Sequence, residues 1–361
     1  MKKIKVTIEG EFVESYIYSG HLILVDKNYQ LNVYKWDSLV GLALKGTGFP
    51  HVLLAQELLK DSRLKISPSI NDACYSISKS DLESCHVYSM DVGVYPSDIN
   101  VFANVLYISS ENGVSRFDFN YEDGKLHNKF VIFDEMSFSI SPNSSNRLAI
   151  AAGKSGVLTF IPRSKHLSKL YLSELMNETC TDLDWQSTVL LANTYQGVKR
   201  ANYKQMPLRD EYGDIQDYFE ALKFFREFKP KIYGFDNELL AWVGGDKLFS
   251  LSSDNKLKIS SINNSELDIN TMDVGAISDV LKAKTASFGT VVETNEQLLL
   301  INDEGVNELF AEPINWRVFP RATNHSNQIH IIQEQFMEIT IVESPDNNRY
   351  GFKPETVDFR G

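Results

Sequence analysis

Cysteine is scarce in this chain. Cys74, Cys85 and Cys180 make an odd count of three with no close metal-type spacing, which argues against a disulfide framework and fits a reducing compartment. No run of about 18 apolar residues occurs, so no membrane-spanning helix is expected. The basic start Met1-Lys2-Lys3 is not followed by the apolar stretch of a secretory signal. These absences make the cytoplasm the expected location. Clustered basic residues are missing too: 36 Lys and Arg stand against 48 Asp and Glu, a formal charge of −12. That balance argues against direct nucleic-acid binding, which needs Lys and Arg gathered on one surface, while permitting a basic protein partner.

Motifs that carry chemistry are equally sparse. The seven histidines form no pair at helical ligand spacing. His325 and His330 read as surface or strand-end residues. There is no Gly-x-Ser-x-Gly, no phosphate-cradling loop ending in Gly-Lys and no dinucleotide fingerprint after a strand. Gly244-Gly245-Asp246 reads as a hairpin turn that needs positive φ, not as a phosphate loop. The acidic groups Asp182-Leu183-Asp184 and Glu211, Asp214 and Asp217 have spacings that a solvated face shares with a catalytic pair. No metal, cofactor or catalytic residue is assigned.

What the chain does have is a repeated local pattern. Val105–Phe117, Leu148–Phe160 and Val189–Ala201 each run apolar strand, tight polar turn, Gly-Val, strand. Their glycines Gly113, Gly156 and Gly197 fall 43 and 41 residues apart. A hairpin recurring about every 40 residues predicts a β-propeller of four-stranded antiparallel blades. Further copies anchor at Val33, Leu248, Leu298 and near Phe336. Seven anchors favour seven blades, with eight kept open by the long interval between Val33 and Val114. There residues 40–95 either hide a blade or form an insertion, with 40–70 irregular. The segment offers a hairpin from Cys74–Ser78 to Cys85–Ser89, and helix-forming composition at Val52–Lys60. Asn128–Phe133 and Leu167–Leu172 suit outer strands, and Met136–Pro142 a strand entering the next blade. The alternating strand Lys3–Ile8 is expected to pair near residues 331–342 and close the ring, removing exposed edges from a single domain spanning 1–361. The turn-rich stretch 345–361 reads as a tail.

Gly113-Val-Ser-Arg-Phe-Asp118 and Asn32-Val-Tyr-Lys-Trp-Asp37 resemble the strand endings of WD-repeat propellers, where an aromatic residue followed by Asp closes the third strand. Met136–Ala152 is similar to the entry segment of such a repeat. The resemblance implies a rigid platform that assembles other macromolecules, usually without catalysis.

Two regions are candidate partner sites. Residues 205–231 depart from the repeat: Asp214 is a plausible N-cap, acids come early and bases late, and Pro230 stops the segment, which predicts a helix of about four turns. Ile215, Phe219, Leu222 and Phe225 share one face, with Tyr218, Phe224 and Phe228 beside it. Exposed aromatics there would mark a partner site or a homodimer contact through 214–228. The turns joining second and third strands should also share one face, placing Asn28, Glu111, Lys154, Tyr195, Asp246 and Asn295 in a ring of polar tips around the channel mouth. The expected function is a non-catalytic protein-interaction scaffold, a subunit of a larger complex. The alternative is an enzyme or small-ligand binder that uses carboxylates around the central channel.

Overall fold

The computed structural model describes residues 1–143, 147–161, 172–235, 237–262, 269–277 and 279–346. These form seven sheets arranged as the blades of a propeller. Blade 1 is Phe12–Tyr18, His21–Asp26, Gln30–Lys35 and His86–Asp91; blade 2 is Pro96–Phe102, Val105–Ser110, Gly113–Phe119 and Leu126–Phe133. Blade 3 is Ser139–Pro142, Leu148–Ala151, Val157–Phe160 and Leu172–Met176; blade 4 is Cys180–Gln186, Val189–Thr194, Gly197–Asn202 and Ile232–Gly234. Blade 5 is Glu238–Gly244, Lys247–Ser252, Lys256–Ser261 and Ile269–Asp273; blade 6 is Val280–Ala286, Gly289–Thr294, Gln297–Asn302 and Gly305–Ala311. Each is an antiparallel meander counted outward from the channel. The proposed outer-strand residues 167–171 and the tail residues 347–361 lie outside the described residues.

Blade 7 joins the two ends of the chain. Asn315–Val318, Gln328–Ile332 and Phe336–Val342 supply three strands, and Lys3–Glu9 adds the fourth, pairing Lys3 with Val342 through Glu9 with Phe336. Alternation explains the choice of edge: Ile4, Val6 and Ile8 point inward and are buried, while Lys3, Lys5 and Thr7 face outward. Burying each such aliphatic side chain stabilises by about 1.5–3 kcal/mol. A fifth strand, Cys74–Ile77, lies parallel to Lys5–Ile8 and covers that edge.

Residues 36–85 are therefore no eighth blade. They connect the third and fourth strands of blade 1, and hold α1 (Trp36–Ala43), α2 (His51–Lys60), the strand Cys74–Ile77 and α3 (Lys79–Ser84). The expected hairpin between Cys74–Ser78 and Cys85–Ser89 does not form. Its first arm joins blade 7 and its second arm begins the outer strand of blade 1. Trp36-Asp37 does not end a strand either. The third strand stops at Lys35, and Trp36 opens α1 with its ring buried and its indole donating to the Leu59 carbonyl at 2.9 Å.

The anchor at Leu248 is displaced by one strand. Leu248 lies in the second strand of blade 5, whose third strand is Lys256–Ser261. The cause is a two-residue turn, Gly245-Asp246, with Gly245 at φ 58°, joining first and second strands as tightly as other blades join second and third. The blade count survives because the slip still yields one anchor per blade.

Strand alternation gives the ring two unlike faces. Second-to-third turns emerge on one face, and the described ones are short. First-to-second turns and third-to-fourth connections emerge on the other. Both long helical connections, 36–85 in blade 1 and 203–231 in blade 4, leave from that second, elaborated face.

Candidate functional site

The innermost strands enclose a channel with a cavity of about 640 Å³. Every blade except the fifth contributes lining residues, through alternate positions that turn away from the blade core: Glu14 and Tyr16, Asp98 and Asn100, Ser139 and Ser141, Asp182 and Asp184, Lys282 and Lys284, Asn315 and Arg317. Glu293 and Arg321 complete the charged set, so five carboxylates face four cations.

Most of these charges are spent on one another across blades. Arg317 of blade 7 binds Glu14 of blade 1 and Asp98 of blade 2, each at 3.0 Å. Burial alone would lower the Arg317 pKa, but these two carboxylates more than offset it and raise the pKa. Lys284 of blade 6 reaches Asp184 at 3.4 Å and Asp182 at 3.8 Å across the channel. Burial again works against its charge and the two acids prevail, so its pKa is raised. Arg321 pairs with Asp184 at 3.8 Å and donates to the carbonyls of Pro142 and Trp185. The same carboxylates also clasp the next blade by its backbone: Asp98 accepts from the Ile140 amide at 3.0 Å and Asp184 from the Val243 amide at 3.2 Å. Because Glu14 is almost wholly buried, deleting Arg317 would strand a charge in a poorly solvated site, a change that costs about 3–5 kcal/mol.

Of the acidic groups singled out by sequence, Asp182 and Asp184 do line the channel, on the innermost strand of blade 4. Glu211, Asp214 and Asp217 do not; they flank or begin α4 (Ile215–Glu227), where Asp214 caps the helix by accepting from the Gln216 amide at 2.6 Å. Sequence reasoning missed Glu14, Asp98, Lys282, Lys284, Arg317 and Arg321. A signal was there: charges at alternate positions inside strand-like runs, as in Leu281-Lys-Ala-Lys-Thr285, mark the channel side of an innermost strand. Among the described residues, no group of three or more His, Cys, Asp or Glu side chains stands close enough to hold a metal ion.

His325 and His330 are not surface residues. His330 is fully buried in the second strand of blade 7, its Nδ1 3.1 Å from the Ser15 hydroxyl and its ring against Phe319. His325 is buried in the preceding loop, its Nδ1 3.1 Å from the Gln328 amide nitrogen. Burial holds His330 well below the usual histidine range and His325 down at about 4.

The second-to-third turn tips share a face, but they lie one strand out from the channel lining and none of them borders the cavity. Asn28, Glu111, Lys154, Tyr195 and Asn295 are exposed there, Tyr195 at 85%. Asp246 is not among them: it occupies the first-to-second turn of blade 5, on the opposite face.

The packing of α4 also differs from the expected stripe. Phe225 alone is buried; Tyr218, Leu222 and Phe228 are half-buried beside it. Ile215, Phe219 and Phe224 are exposed at 48%, 59% and 61%. One cation fixes this orientation. The Arg147 guanidinium stacks 4.2 Å from the Phe225 ring centre and 4.8 Å from that of Tyr203, and donates to the Phe225 carbonyl. The inward positions are those spaced three and four from Phe225 on the blade side, which leaves the aromatics at 219 and 224 outside.

Seven blades, each built on four antiparallel strands, in a ring closed by an N-terminal outer strand, define a seven-bladed β-propeller. A chain from the crystal structure of a mitotic checkpoint complex is similar over 93% of both chains, with a TM-score of 0.52 and 8% sequence identity, a likeness that concerns the fold alone. No protein-family model and no curated protein matches the sequence. No helix among the described residues is long and apolar enough to cross a membrane.

Proposed function

We propose that the protein is a non-catalytic interaction scaffold and a subunit of a larger protein assembly. The observation that carries this reading is the apolar surface on both long connections of the elaborated face. Ile215, Phe219 and Phe224 on one, and Phe49, Leu53 and Leu64 on the other, are all at least 43% exposed. Scattered single exposures are ordinary, but here three large apolar side chains are exposed on each of the two segments that interrupt the repeat, and exposed apolar surface on such segments marks contact sites. The propeller similarity to a chain of a multiprotein complex agrees with it. The acidic balance suits a partner with a basic surface, and the three free cysteines suit a reducing compartment such as the cytoplasm.

The test is affinity purification of the tagged full chain from its native cells beside a Phe219→Asp/Phe224→Asp variant. A protein recovered in stoichiometric amount with the wild type and lost with the variant supports the reading, provided both chains unfold at the same temperature. Equal recovery moves the interaction to another surface. Self-association through α4 would appear instead as a doubled mass in light scattering that the same variant halves.

A further inference from the structure

Two opposite charges in the channel stand apart from the ion-pair network, and both are tied to one indole. Lys282 donates to the Trp316 carbonyl at 3.2 Å and lies 4.8 Å from the centre of the Trp316 ring. Glu293 accepts from the Trp316 indole nitrogen at 2.7 Å. Among the described residues, neither side chain enters a salt bridge, with the other or with any third group, although Arg317, Lys284 and Arg321 all do. Lys282 and Glu293 stand opposite each other across the first two strands of blade 6, and the buried Trp316 of blade 7 holds both groups short of ion-pair contact where they border the cavity.

Such an arrangement forgoes the Coulomb attraction the two charges would gain in contact, in surroundings where that attraction is stronger than in water. An ammonium has three donors and one is used on Trp316; a carboxylate accepts about four hydrogen bonds and one is used. The remaining capacity can be met by a ligand that carries both charges. The cavity, at about 640 Å³, falls within the range of small-molecule sites. Its lining carries one more carboxylate than cations, which disfavours a multiply charged anion.

We propose that the channel is a binding site for a small zwitterion of the free amino-acid class, with its carboxylate on Lys282 and its ammonium on Glu293. Tyr16 and Asn100, which also line the cavity with hydroxyl and amide oxygen 3.4 Å apart, are available to the remainder of the molecule. Burial and the neighbouring Arg317 lower the Lys282 pKa. Glu14, Asp98 and Glu293 oppose that shift without overcoming it, and a bound carboxylate would add to them. The reading is independent of the apolar connections and their partner.

The experiment is a calorimetric titration of the full chain with glycine, alanine, glutamine and phenylalanine. Acetate and methylammonium serve as one-ended probes at equal concentration. At least one amino acid should bind and raise the unfolding temperature by mass action, while neither one-ended ion does so. Glu293→Gln, which keeps an acceptor for the Trp316 indole, should weaken binding about tenfold or more, as should Lys282→Met. If Lys282→Met fails to fold, Glu293→Gln carries the test alone. Absence of binding by all four amino acids, equal binding of acetate or methylammonium, or unchanged affinity in Glu293→Gln overturns the proposal.

Discussion

The two long connections leave the same face of the ring and are held to it in opposite ways. Residues 36–85 carry their own core into the blades. Trp36, Leu39, Val40, Ala55, Leu58, Leu59, Ile70 and Ile77 pack in one cluster with Ile4, Ile8 and Met337 of blade 7. Ser62 adds hydrogen bonds of 2.8–3.0 Å to the loop at Asn324–Asn327. Residues 203–231 send one helical side chain, Phe225, into the protein. Length and helical content do not distinguish the two connections; the number of apolar side chains that find a blade does. The first connection is part of the ring's closure, since it covers the outer edge of the blade where the chain's ends meet. The second is an attachment, and its freedom to show aromatics to solvent follows from how little it anchors.

The largest test of this difference is Trp36→Ala. It removes a fully buried ring and leaves the Leu59 carbonyl without its donor, so the global unfolding free energy should fall by about 3–5 kcal/mol in denaturant titration. A loss under about 1 kcal/mol would put the first connection in the same class as the second.

Acid comes next and acts on the first connection selectively. His325 sits in the loop under Ser62, where burial lowers its pKa to about 4, with Asp61 and Asp37 opposing that shift in part. The unfolded chain protonates it near pH 6.5, so below that pH the unfolded state binds a proton that the folded state does not. Stability is thus complete above about pH 6.5 and falls by up to about 1.4 kcal/mol per pH unit towards pH 4, with His330 adding a loss of the same sign. Hydrogen exchange at pH 5 should show faster opening at 36–85 and 319–332 than at pH 7.5, with 215–227 changing little. A His325→Gln variant should reduce this dependence by about half, leaving the part that belongs to His330.

The ring was legible in the sequence because its cause is local. Each tight turn needs small or polar residues at fixed offsets between apolar runs, and Gly113, Gly156 and Gly197 advertise that directly. The one-strand slip at Leu248 came from the same rule, since Gly245-Asp246 obeys turn chemistry without saying which two strands it joins. The 36–85 connection was not legible as part of blade closure. Cys74–Ile77 and His86–Asp91 look like a hairpin, and only long-range pairing with Lys5–Ile8 and Gln30–Tyr34 separates them. The channel charges were hidden for a related reason. Arg317 and Glu14 lie some 300 residues apart and meet because the ring closes. The orientation of α4 was beyond a periodicity argument too. Its aromatics permit more than one inward face, and Arg147, from another blade, selects the face that includes Phe225.

The smallest effects belong to α4, where they separate anchoring from display. Phe225→Ala removes the ring under Arg147 and should cost about 3 kcal/mol in the local opening of the helix. Because the blades do not depend on that contact, the loss should appear as faster amide exchange over 215–227, with the global midpoint moving little. Phe219→Asp should change global stability by no more than about 0.5 kcal/mol, since the ring it replaces is 59% exposed and packs chiefly on its helix neighbour Tyr218. Its consequence should lie in partner recovery. If Phe219→Asp instead destabilises as much as Phe225→Ala, the exposed face of α4 is structural, and the two connections differ in degree only. If Phe219→Asp is silent in unfolding yet abolishes the co-purifying protein, the weak anchoring of α4 is what leaves its aromatics free to bind.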